Sequence, residues 1–463
     1  MAMGAQRGSV ADMPLYPGDP LTPFVGAKED TERMTPEESP TVMKIPVLPI
    51  SYQDALPLLA AIDGPVAPAG WRGALPITYH IGPGPARVHL KLKFSWDIVP
   101  AYNVIARIKG SEFPDEWIMR GNHRDGWVFG AADPISGQVA MLAEAQAIGK
   151  LVKQGFKPKR TILFASWDGE EPGLLGSTEW VEYHRDEIDE KMVAYLNTDG
   201  SGRGFIGMGG SHTMQAFINQ VAGDVEDPQT GVSVLERRRA RDLANGSSTT
   251  PETGDIPIDP LGSGSDYSPY LQHMGIASLN IGFGGESGGG SYHSIFDSYD
   301  HYKRFGDPNF AYGVTLAKVM GRSTLRLANA DILPFRFETF VNHVGVYVEE
   351  IEKLVEDTRT STEKHNKLVK SGAFKLALDP TESILAPKAK EAVPFISFAV
   401  VKNAMVDLVA AAKDADTAVA SAEASAALNV AIAQLERAMA SDKGLPRRPW
   451  YRHQVYAPGF YTG

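Results

Sequence analysis

A chain of 463 residues is longer than the roughly 100 to 200 residues of one typical domain, so its length predicts two or three folded units with ample core. Its hydrophobic content of 43% and charged content of 22% are ordinary for a globular protein. The net charge of -11 argues against a nucleic-acid binder, which needs a basic face, and the lack of cysteine excludes disulfides. No apolar run approaches the roughly 18 residues of a spanning helix, and no signal-peptide pattern is found.

The predicted elements divide the chain into three parts, residues 1–90, 91–330 and 331–463. The first part is rich in proline and glycine. The second alternates strand-like runs with helical patterns, which predicts an α/β fold with a mixed, largely parallel sheet and helices on both faces. Its predicted strands are 102–108, 116–119, 160–165, 193–197 and 276–281, and its predicted helices are 137–154, 173–184, 266–273 and 309–327. The segment 228–260 is predicted to be irregular.

The third part is dominated by helix-forming residues. Apolar residues recur every three or four positions over 340–370, 392–412 and 421–440, which predicts packed helices of a bundle. A coiled coil is the weaker interpretation because no heptad is sustained.

Two adjacent carboxylates, Glu170 and Glu171, follow the apolar run 161–169. Such a run predicts a buried parallel strand, and open α/β sheets keep their chemistry at the carboxyl ends of such strands. Because neighbouring loop residues can point in different directions, one carboxylate can hold a metal while the other takes a proton from water. The alternative is an exposed acidic turn, which is the commoner fate of an isolated pair.

Three other candidate metal ligands, His123, Asp133 and Asp199, are expected at strand ends, and a fourth, His293, follows a glycine-rich loop. Each of these residues, taken alone, is more often structural. Asp133, for example, precedes Pro134, and a lone Asp before Pro usually starts a turn. The ordered series of His, Asp, Glu-Glu, Asp and His is much harder to explain by turn chemistry. Imidazole and carboxylate suit zinc, and five such side chains with one bridging carboxylate are what two adjacent ions need. Asp125 is predicted to accept a hydrogen bond from the other ring nitrogen of His123.

These residues carry a family resemblance. The strings 121–133, 161–180, 195–199, 261–266, 275–278 and 292–294, with 444–453 near the end of the chain, resemble the co-catalytic zinc peptidases of the glutamate carboxypeptidase II and transferrin receptor group. The resemblance covers nearly the whole chain. It implies a zinc-dependent metallopeptidase with a partial apical, protease-associated segment and a C-terminal helical domain that makes a homodimer.

The resemblance also implies residue roles. His123 and Asp199 would hold one zinc, Glu171 and His293 the other, and Asp133 would bridge the two ions. Glu170 would be the general base and acid, and the Tyr292 hydroxyl would help to stabilise the oxyanion. The backbone of Ser263, Gly264 and Ser265 would line the substrate cleft.

No covalent nucleophile is needed for this chemistry. The chain has no cysteine, and no G-x-S-x-G elbow lies between a predicted strand and helix. The glycine-rich stretch 282–290 lacks the G-K-[ST] ending of a phosphate-binding loop, so it is interpreted as a loop beside His293.

A structural calcium is a further implication of the resemblance. Glu179 and Glu182 lie three apart on a predicted helix, so they share one face. The segment 18–23 resembles the apical segment that such a calcium ties to this helix, and Thr22 with the Val25 carbonyl would complete an oxygen-rich site. The alternative is two solvated carboxylates on an exposed helix face.

The chain also departs from its relatives. The first half of the apical domain and the peptidase strands before it have no counterpart here, and relatives continue beyond residue 463, so unpaired sheet edges and exposed apolar surface are expected. The family suggests an extracytoplasmic location for the full-length protein, although this chain alone does not fix the compartment.

Ser9 stands where glutamate-specific relatives have an asparagine. Residues 279–282 stand where the same relatives have an arginine patch. A buried substrate carboxylate would lack partners, so the expected substrates are small peptides or acylated amino acids cleaved near a terminus. Two alternatives stay open: a receptor-like relative without catalysis, and an inactive fragment that still binds zinc.

Overall fold

The computed structural model describes residues 2–82, 84–286, 289–379 and 386–459, and a mixed sheet of six strands lies at its centre. The strands are β1 (Val104–Ile108), β2 (Phe113–His123), β3 (Arg160–Trp167), β4 (Met192–Asn197), β5 (Gly204–Gly210) and β6 (Ser278–Gly285).

The sheet order is β1-β3-β2-β4-β6-β5, with the parallel strands in the middle. Strands β3, β2, β4 and β6 run parallel, while β1 and β5 pair antiparallel at the two edges. Every residue of β3 and β4 is buried, as expected for strands covered on both faces. The carboxyl ends of the parallel strands therefore meet along one edge of the sheet.

Both faces of the sheet are covered. Adjacent residues of a strand point to opposite faces. On β2, the Arg120 side chain contacts Glu144 and the sulfur of Met119 contacts the Tyr270 hydroxyl at 3.2 Å, from elements on the two sides. The predicted α/β architecture is confirmed.

The structure describes helices of very different lengths: α1 (Tyr52–Ala60), α2 (Ile135–Lys153), α3 (Leu175–Tyr183), α4 (Arg185–Lys191), α5 (Gln215–Gly223), α6 (Val234–Ala244), α7 (Tyr299–His301), α8 (Ala311–Asn329), α9 (Phe337–Lys370), α10 (Ala373–Leu376), α11 (Ala399–Ser421) and α12 (Ala426–Arg437). Short 3-10 or π turns occupy Ala69–Trp71, His212–Met214, Pro269–His273, Tyr302–Gly306 and Pro308–Phe310. Within the described ranges, none of the helices is long and apolar enough to cross a membrane.

The C-terminal part is helical, as predicted. Helices α9 and α11 pack against each other, and α12 packs against β4 of the sheet. The predicted helix 392–412 is displaced, because the observed helix begins at Ala399 and continues to Ser421.

Two other expectations for the elements were wrong, and one strand was not predicted. Helix α6 lies inside the segment 228–260 that was expected to be irregular. Strand β5 was not predicted, and the expected helix 266–273 is reduced to the turn Pro269–His273.

The N-terminal segment is attached to the rest of the chain by specific hydrogen bonds. The Gly18 N–H donates to the Gly173 carbonyl at 2.8 Å, and the Tyr451 hydroxyl donates to the Met13 carbonyl at 2.7 Å. These contacts place residues 7–27 beside the loop that carries the paired glutamates. Several large apolar side chains farther along this segment are exposed, among them Trp71, Phe94, Trp96 and Val99.

Candidate metal centre

The carboxyl edge of the parallel strands gathers the predicted ligands. His123 is the last residue of β2, and Glu170 and Glu171 follow β3 after a short turn. Asp199 comes two residues after the end of β4. Because β2 lies between β3 and β4, these side chains approach one another from neighbouring strand ends.

The first cluster contains His123, Asp133 and Asp199, whose ligand atoms all lie within 4.8 Å of one another. The His123 Nε2 atom lies 3.1 Å from Asp199 Oδ1 and 3.5 Å from Asp133 Oδ1. Glu170 Oε2 is 3.8 Å from the same nitrogen.

The second cluster contains Asp133, Glu171 and His293. The His293 Nε2 atom lies 3.1 Å from Asp133 Oδ2 and 3.0 Å from Glu171 Oε2. Asp133 therefore gives one carboxylate oxygen to each cluster, which is the arrangement of a bridging ligand.

The donor atoms fit zinc by type and by spacing. Two ligands at about 2.0 to 2.1 Å from one tetrahedral ion are about 3.3 Å apart. The nitrogen–oxygen separations of 3.0 to 3.5 Å within the two clusters lie around that value. A pair of tetrahedral ions sharing Asp133 is thus compatible with the side chains as they stand.

Both histidines are held in the tautomer that a metal needs. His123 Nδ1 lies 3.1 Å from the Asp125 carbonyl oxygen, and His293 Nδ1 lies 3.0 Å from the Arg7 carbonyl oxygen. A carbonyl oxygen can only accept, so each Nδ1 donates, and Nε2 is the ring atom that faces the carboxylates and would bind a metal.

His293 adopts a left-handed backbone conformation with φ of 54°, which is uncommon for a residue with a side chain. The Arg7 N–H donates to the His293 carbonyl at 2.7 Å and so completes a reciprocal pair with the ring contact. The N-terminal segment therefore fixes both the backbone and the ring of this residue.

The Asp125 carboxylate has a different position from the one expected. Its closest oxygen is 3.5 Å from His123 Nδ1, which is too long for a hydrogen bond. The two carboxylate oxygens instead accept the backbone N–H groups of Glu170 at 3.0 Å and Glu171 at 3.1 Å. Asp125 thus positions the paired glutamates with its side chain and orients His123 with its backbone.

Glu170 is buried, with 8% of its surface exposed, and lies against the cluster. Burial raises the pKa of its carboxyl well above the usual value, and the negative charges of Asp199 and Asp266 raise it further against the opposing effect of His123. A buried carboxyl that retains a proton readily is suited to accept and return one.

The pKa values of the two imidazoles are raised as well, but by neighbouring charge and not by burial. Burial alone would lower the pKa of His293, but hydrogen bonds to Asp133 and Glu171 outweigh it and raise the pKa to about 9. Burial also opposes the charge on His123, yet Asp199 and its other carboxylate neighbours raise the pKa of this ring as well. The clustered carboxylates therefore favour positive charge at both positions.

Several positioning residues were not expected from the sequence. The Asp297 carboxylate accepts the N–H groups of Ala132 at 2.8 Å and Asp133 at 3.0 Å, which fixes the bridging residue. The Ser265 hydroxyl donates to Asp199 Oδ2 at 2.6 Å, and the Trp127 N–H donates to Glu171 Oε1 at 3.2 Å. Only the acidic character of Asp297, close to His293 in the chain, gave any signal in advance.

A cavity of about 590 Å³ opens onto the metal centre. Among its described lining residues, Asp133, Glu170, Glu171, Asp199 and Asp297 are acidic, and none is Lys or Arg. Tyr292, Gly264 and Ser265 line it as expected, and the Tyr292 ring stacks on His293 at 3.6 Å between centroids.

Ser263 lies elsewhere. It is buried and lines an adjoining cavity of about 360 Å³, which reaches the centre at Glu171 and His293 and is also lined by Ser9, Met13 and Trp127. The described walls of this second cavity also carry no Lys or Arg. The two cavities share the lining residues Met13, Glu171, Gly173 and His293.

The second predicted metal position is a cradle between α3 and the N-terminal segment. Glu179 accepts N–H groups from Asp19 and Ala27, each at 2.6 Å. Glu182 Oε1 accepts from the Phe24 N–H at 3.0 Å and from Trp450 Nε1 at 2.8 Å.

Two oxygen atoms in this cradle are buried without a partner, namely Thr22 Oγ1 and Glu182 Oε2. Val25 lies in the same turn, with its N–H donating to the Thr22 carbonyl at 3.2 Å. Buried polar atoms are almost always satisfied, so these two oxygen atoms are exceptions among the buried groups.

Sequence comparisons agree with this architecture. Residues 103–312 match the family model "Peptidase family M28", and residues 396–463 match "Transferrin receptor-like dimerisation domain". The chain is 36% identical to a probable glutamate carboxypeptidase of Arthroderma benhamiae over 99% of its own length and 59% of that protein.

Two further relatives are similar. A probable glutamate carboxypeptidase of Arabidopsis thaliana is 34% identical over 96% of this chain and 58% of its own length. The aminopeptidase NAALADL1 of Mus musculus is 32% identical over 78% of this chain and 50% of its own length. The chain thus spans between half and three fifths of these proteins. With histidines and carboxylates gathered at one edge of a mixed sheet, residues 103–312 of the chain belong to peptidase family M28, and residues 396–463 form a transferrin receptor-like dimerisation domain.

Proposed function

We propose that this chain is the catalytic part of a dinuclear zinc exopeptidase, which hydrolyses peptide or N-acyl amino acid bonds with Glu170 as general base. The observation that carries the proposal is the pair of ligand clusters that share Asp133 and have a buried glutamate beside them. His123 and Asp199 would hold one ion, Glu171 and His293 the other, and Asp133 both.

When bound, two zinc ions would lower the pKa of a water molecule towards about 7 and polarise the scissile carbonyl. Glu170 is the proposed proton acceptor and donor. Its carboxyl group is buried beside His123, and its backbone is fixed by Asp125. It takes a proton from the attacking water and returns it to the leaving amine. Tyr292, whose ring stacks on His293, would offer its hydroxyl to the oxyanion.

The cavity walls support a substrate with uncharged side chains beside the scissile bond. The described linings of both cavities lack a guanidinium or ammonium group, so an acidic side chain placed there would lose its hydration without gaining an Arg or Lys partner. Small peptides and acylated amino acids with neutral residues are the proposed class. The helical C-terminal part is proposed to form a homodimer, on the strength of its match to the dimerisation domain.

Zinc content and chelator-sensitive hydrolysis test this proposal together. We expect two zinc ions per chain and hydrolysis of neutral peptides or N-acyl amino acids that is abolished by a chelator and restored by zinc. The panel includes matched substrates with acidic and neutral side chains, and with blocked and free termini. Zinc binding without hydrolysis identifies an inert fragment, and the absence of both identifies a receptor-like protein.

Calcium is the proposed occupant of the second cradle, where Thr22 and Glu182 have unpartnered oxygens beside Glu179. Without a cation, burial and mutual repulsion raise the pKa of Glu179 to about 8, and burial raises that of Glu182 to about 7. Because these folded-state pKa values exceed the ordinary 4.5, the two groups favour the folded state at low pH and this contribution is lost as the pH rises through about 8.

Calcium should therefore stabilise the protein more at pH 9 than at pH 6, since protons compete with the ion for the same oxygens. Thermal unfolding with and without calcium measures this difference. In Glu182→Gln, the calcium-dependent shift in Tm should shrink while zinc content stays the same. An equal calcium effect in this variant would remove the site from consideration.

A further inference from the structure

A fully buried ion pair lies directly beneath the metal centre. Arg120 on β2 and Glu144 on α2 have no exposed side-chain surface, and Arg120 Nε lies 3.1 Å from Glu144 Oε2. Burial lowers the pKa of Arg120 and raises that of Glu144, so burial disfavours the charge on both groups. Replacing such a pair by apolar residues is often neutral or stabilising, so its presence calls for a reason other than stability.

Hydrogen bonds connect this pair to the metal ligands. Arg120 Nη2 donates to the Thr198 hydroxyl at 2.6 Å, and that hydroxyl donates to Asn122 Oδ1 at 2.5 Å. Asn122 Nδ2 then donates to the His123 carbonyl at 2.7 Å, with the Pro134 carbonyl at 3.4 Å. All of these side chains are buried.

The chain of bonds reaches the neighbours of all three residues in one cluster. Asn122 precedes His123, Thr198 precedes Asp199, and Pro134 follows Asp133. The packing there is tight. A Cβ on Gly137 would lie 2.0 Å from the Asp199 carbonyl oxygen and 2.4 Å from Asn122 Oδ1.

The other two ligands are held by different groups. Asp125 and Trp127 bind the backbone and the carboxylate of Glu171, and Arg7 binds His293. The hydrogen bonds of the buried network therefore reach the neighbours of His123, Asp133 and Asp199. Of these three residues, only Asp133 also belongs to the second cluster.

A second threonine, Thr324, also bonds to the ion pair and can be compared with Thr198. The Thr324 hydroxyl of α8 donates to Glu144 Oε1 at 2.6 Å, on the side of the ion pair away from the ligands. Thr198 and Thr324 thus make hydrogen bonds of similar length to the same buried ion pair, but only Thr198 adjoins a ligand.

We propose that Arg120, Glu144, Thr198 and Asn122 form a positioning network that sets the affinity of the metal position made by His123, Asp133 and Asp199, and leaves the position at Glu171 and His293 largely independent. This inference depends on the proposed zinc function. Residues that orient metal ligands typically change metal affinity about 10- to 100-fold when they are mutated.

The test compares Thr198→Val with Thr324→Val in the full chain, using two-site zinc titrations against a competing chelator and thermal unfolding. In Thr198→Val, one of the two zinc affinities should fall about 10- to 100-fold while the other changes little. Thr198→Ser restores the hydroxyl and should restore the affinity. Thr324→Val should lower Tm but keep both affinities.

Two results would overturn the network's role: unchanged zinc affinities in Thr198→Val, or an equal loss in Thr324→Val, which would indicate a general effect on folding. If Thr198→Val does not fold, the double variant Arg120→Met with Glu144→Leu takes its place, and two unaltered zinc affinities in that protein count against the inference. Absence of zinc from the unmodified chain would instead remove the proposed function itself, and this inference with it.

Discussion

The Glu170→Gln variant is expected to keep both zinc ions and to lose turnover by about 10²- to 10⁴-fold, the usual contribution of general acid–base catalysis. The amide has the shape of the carboxyl but does not take up a proton at neutral pH. The fold should tolerate the change, because Asp125 holds the backbone of residue 170 rather than its side chain. The loss should therefore appear in kcat, with KM little changed.

The adjacent Glu171→Gln substitution is the matched control. It makes the same chemical change one residue later, but Glu171 Oε2 lies 3.0 Å from His293 Nε2 in the second ligand cluster. This variant should lose zinc as well as activity. Kinetics and metal analysis of the pair separate proton transfer from metal binding, and full turnover in Glu170→Gln would refute its role as the base.

Asp133→Asn should have the largest effect on metal content. Its two carboxylate oxygens face different clusters, 3.5 Å from His123 Nε2 and 3.1 Å from His293 Nε2. An amide offers one neutral oxygen in place of two charged ones, so both zinc ions should be weakened together and hydrolysis lost. His293→Ala removes a ligand of one cluster only, so it should leave one ion bound.

The expected zinc content is thus two ions in the unmodified chain, one in His293→Ala and none in Asp133→Asn at a limiting zinc concentration. Asp300→Asn makes the same change at an exposed ion pair with Arg304 and should leave zinc content unaltered. Retention of a single tight ion in Asp133→Asn would indicate two independent sites rather than a bridged pair.

Three of the candidate site residues could be placed from the sequence because each follows an apolar run. The runs that end near His123, Glu170 and Asp199 became β2, β3 and β4, and parallel pairing brought their carboxyl ends together. Zinc chemistry restricts the residue types further. The clustering of these side chains was therefore accessible from the sequence.

Strand β5 could not be recognised because four of its seven residues are glycine. Glycine is depleted from strands in general, but here close backbone contact requires it. A Cβ on Gly204 would lie 2.1 Å from the Gly284 carbonyl oxygen, and one on Gly210 would lie 2.3 Å from that of Ser278. Both residues also have positive φ, at 133° and 153°.

Helix α6 could have been predicted. Ser233 and Glu236 have the spacing of a capping box, and the Ser233 hydroxyl does accept the Glu236 N–H at 3.1 Å. The buried network around Arg120 had no comparable signal, because an arginine within an apolar strand does not reveal its partner on a distant helix. Long-range pairing of this kind depends on the tertiary fold.

The pairing of Arg7 with His293 has a consequence for how the centre is assembled. These residues are 286 positions apart, yet the ring and the backbone of His293 both depend on the Arg7 peptide group. Until the first residues have docked, this imidazole has neither a fixed tautomer nor a fixed direction. Tight binding of an ion at Glu171 and His293 would therefore require that the segment around Arg7 has already docked against His293.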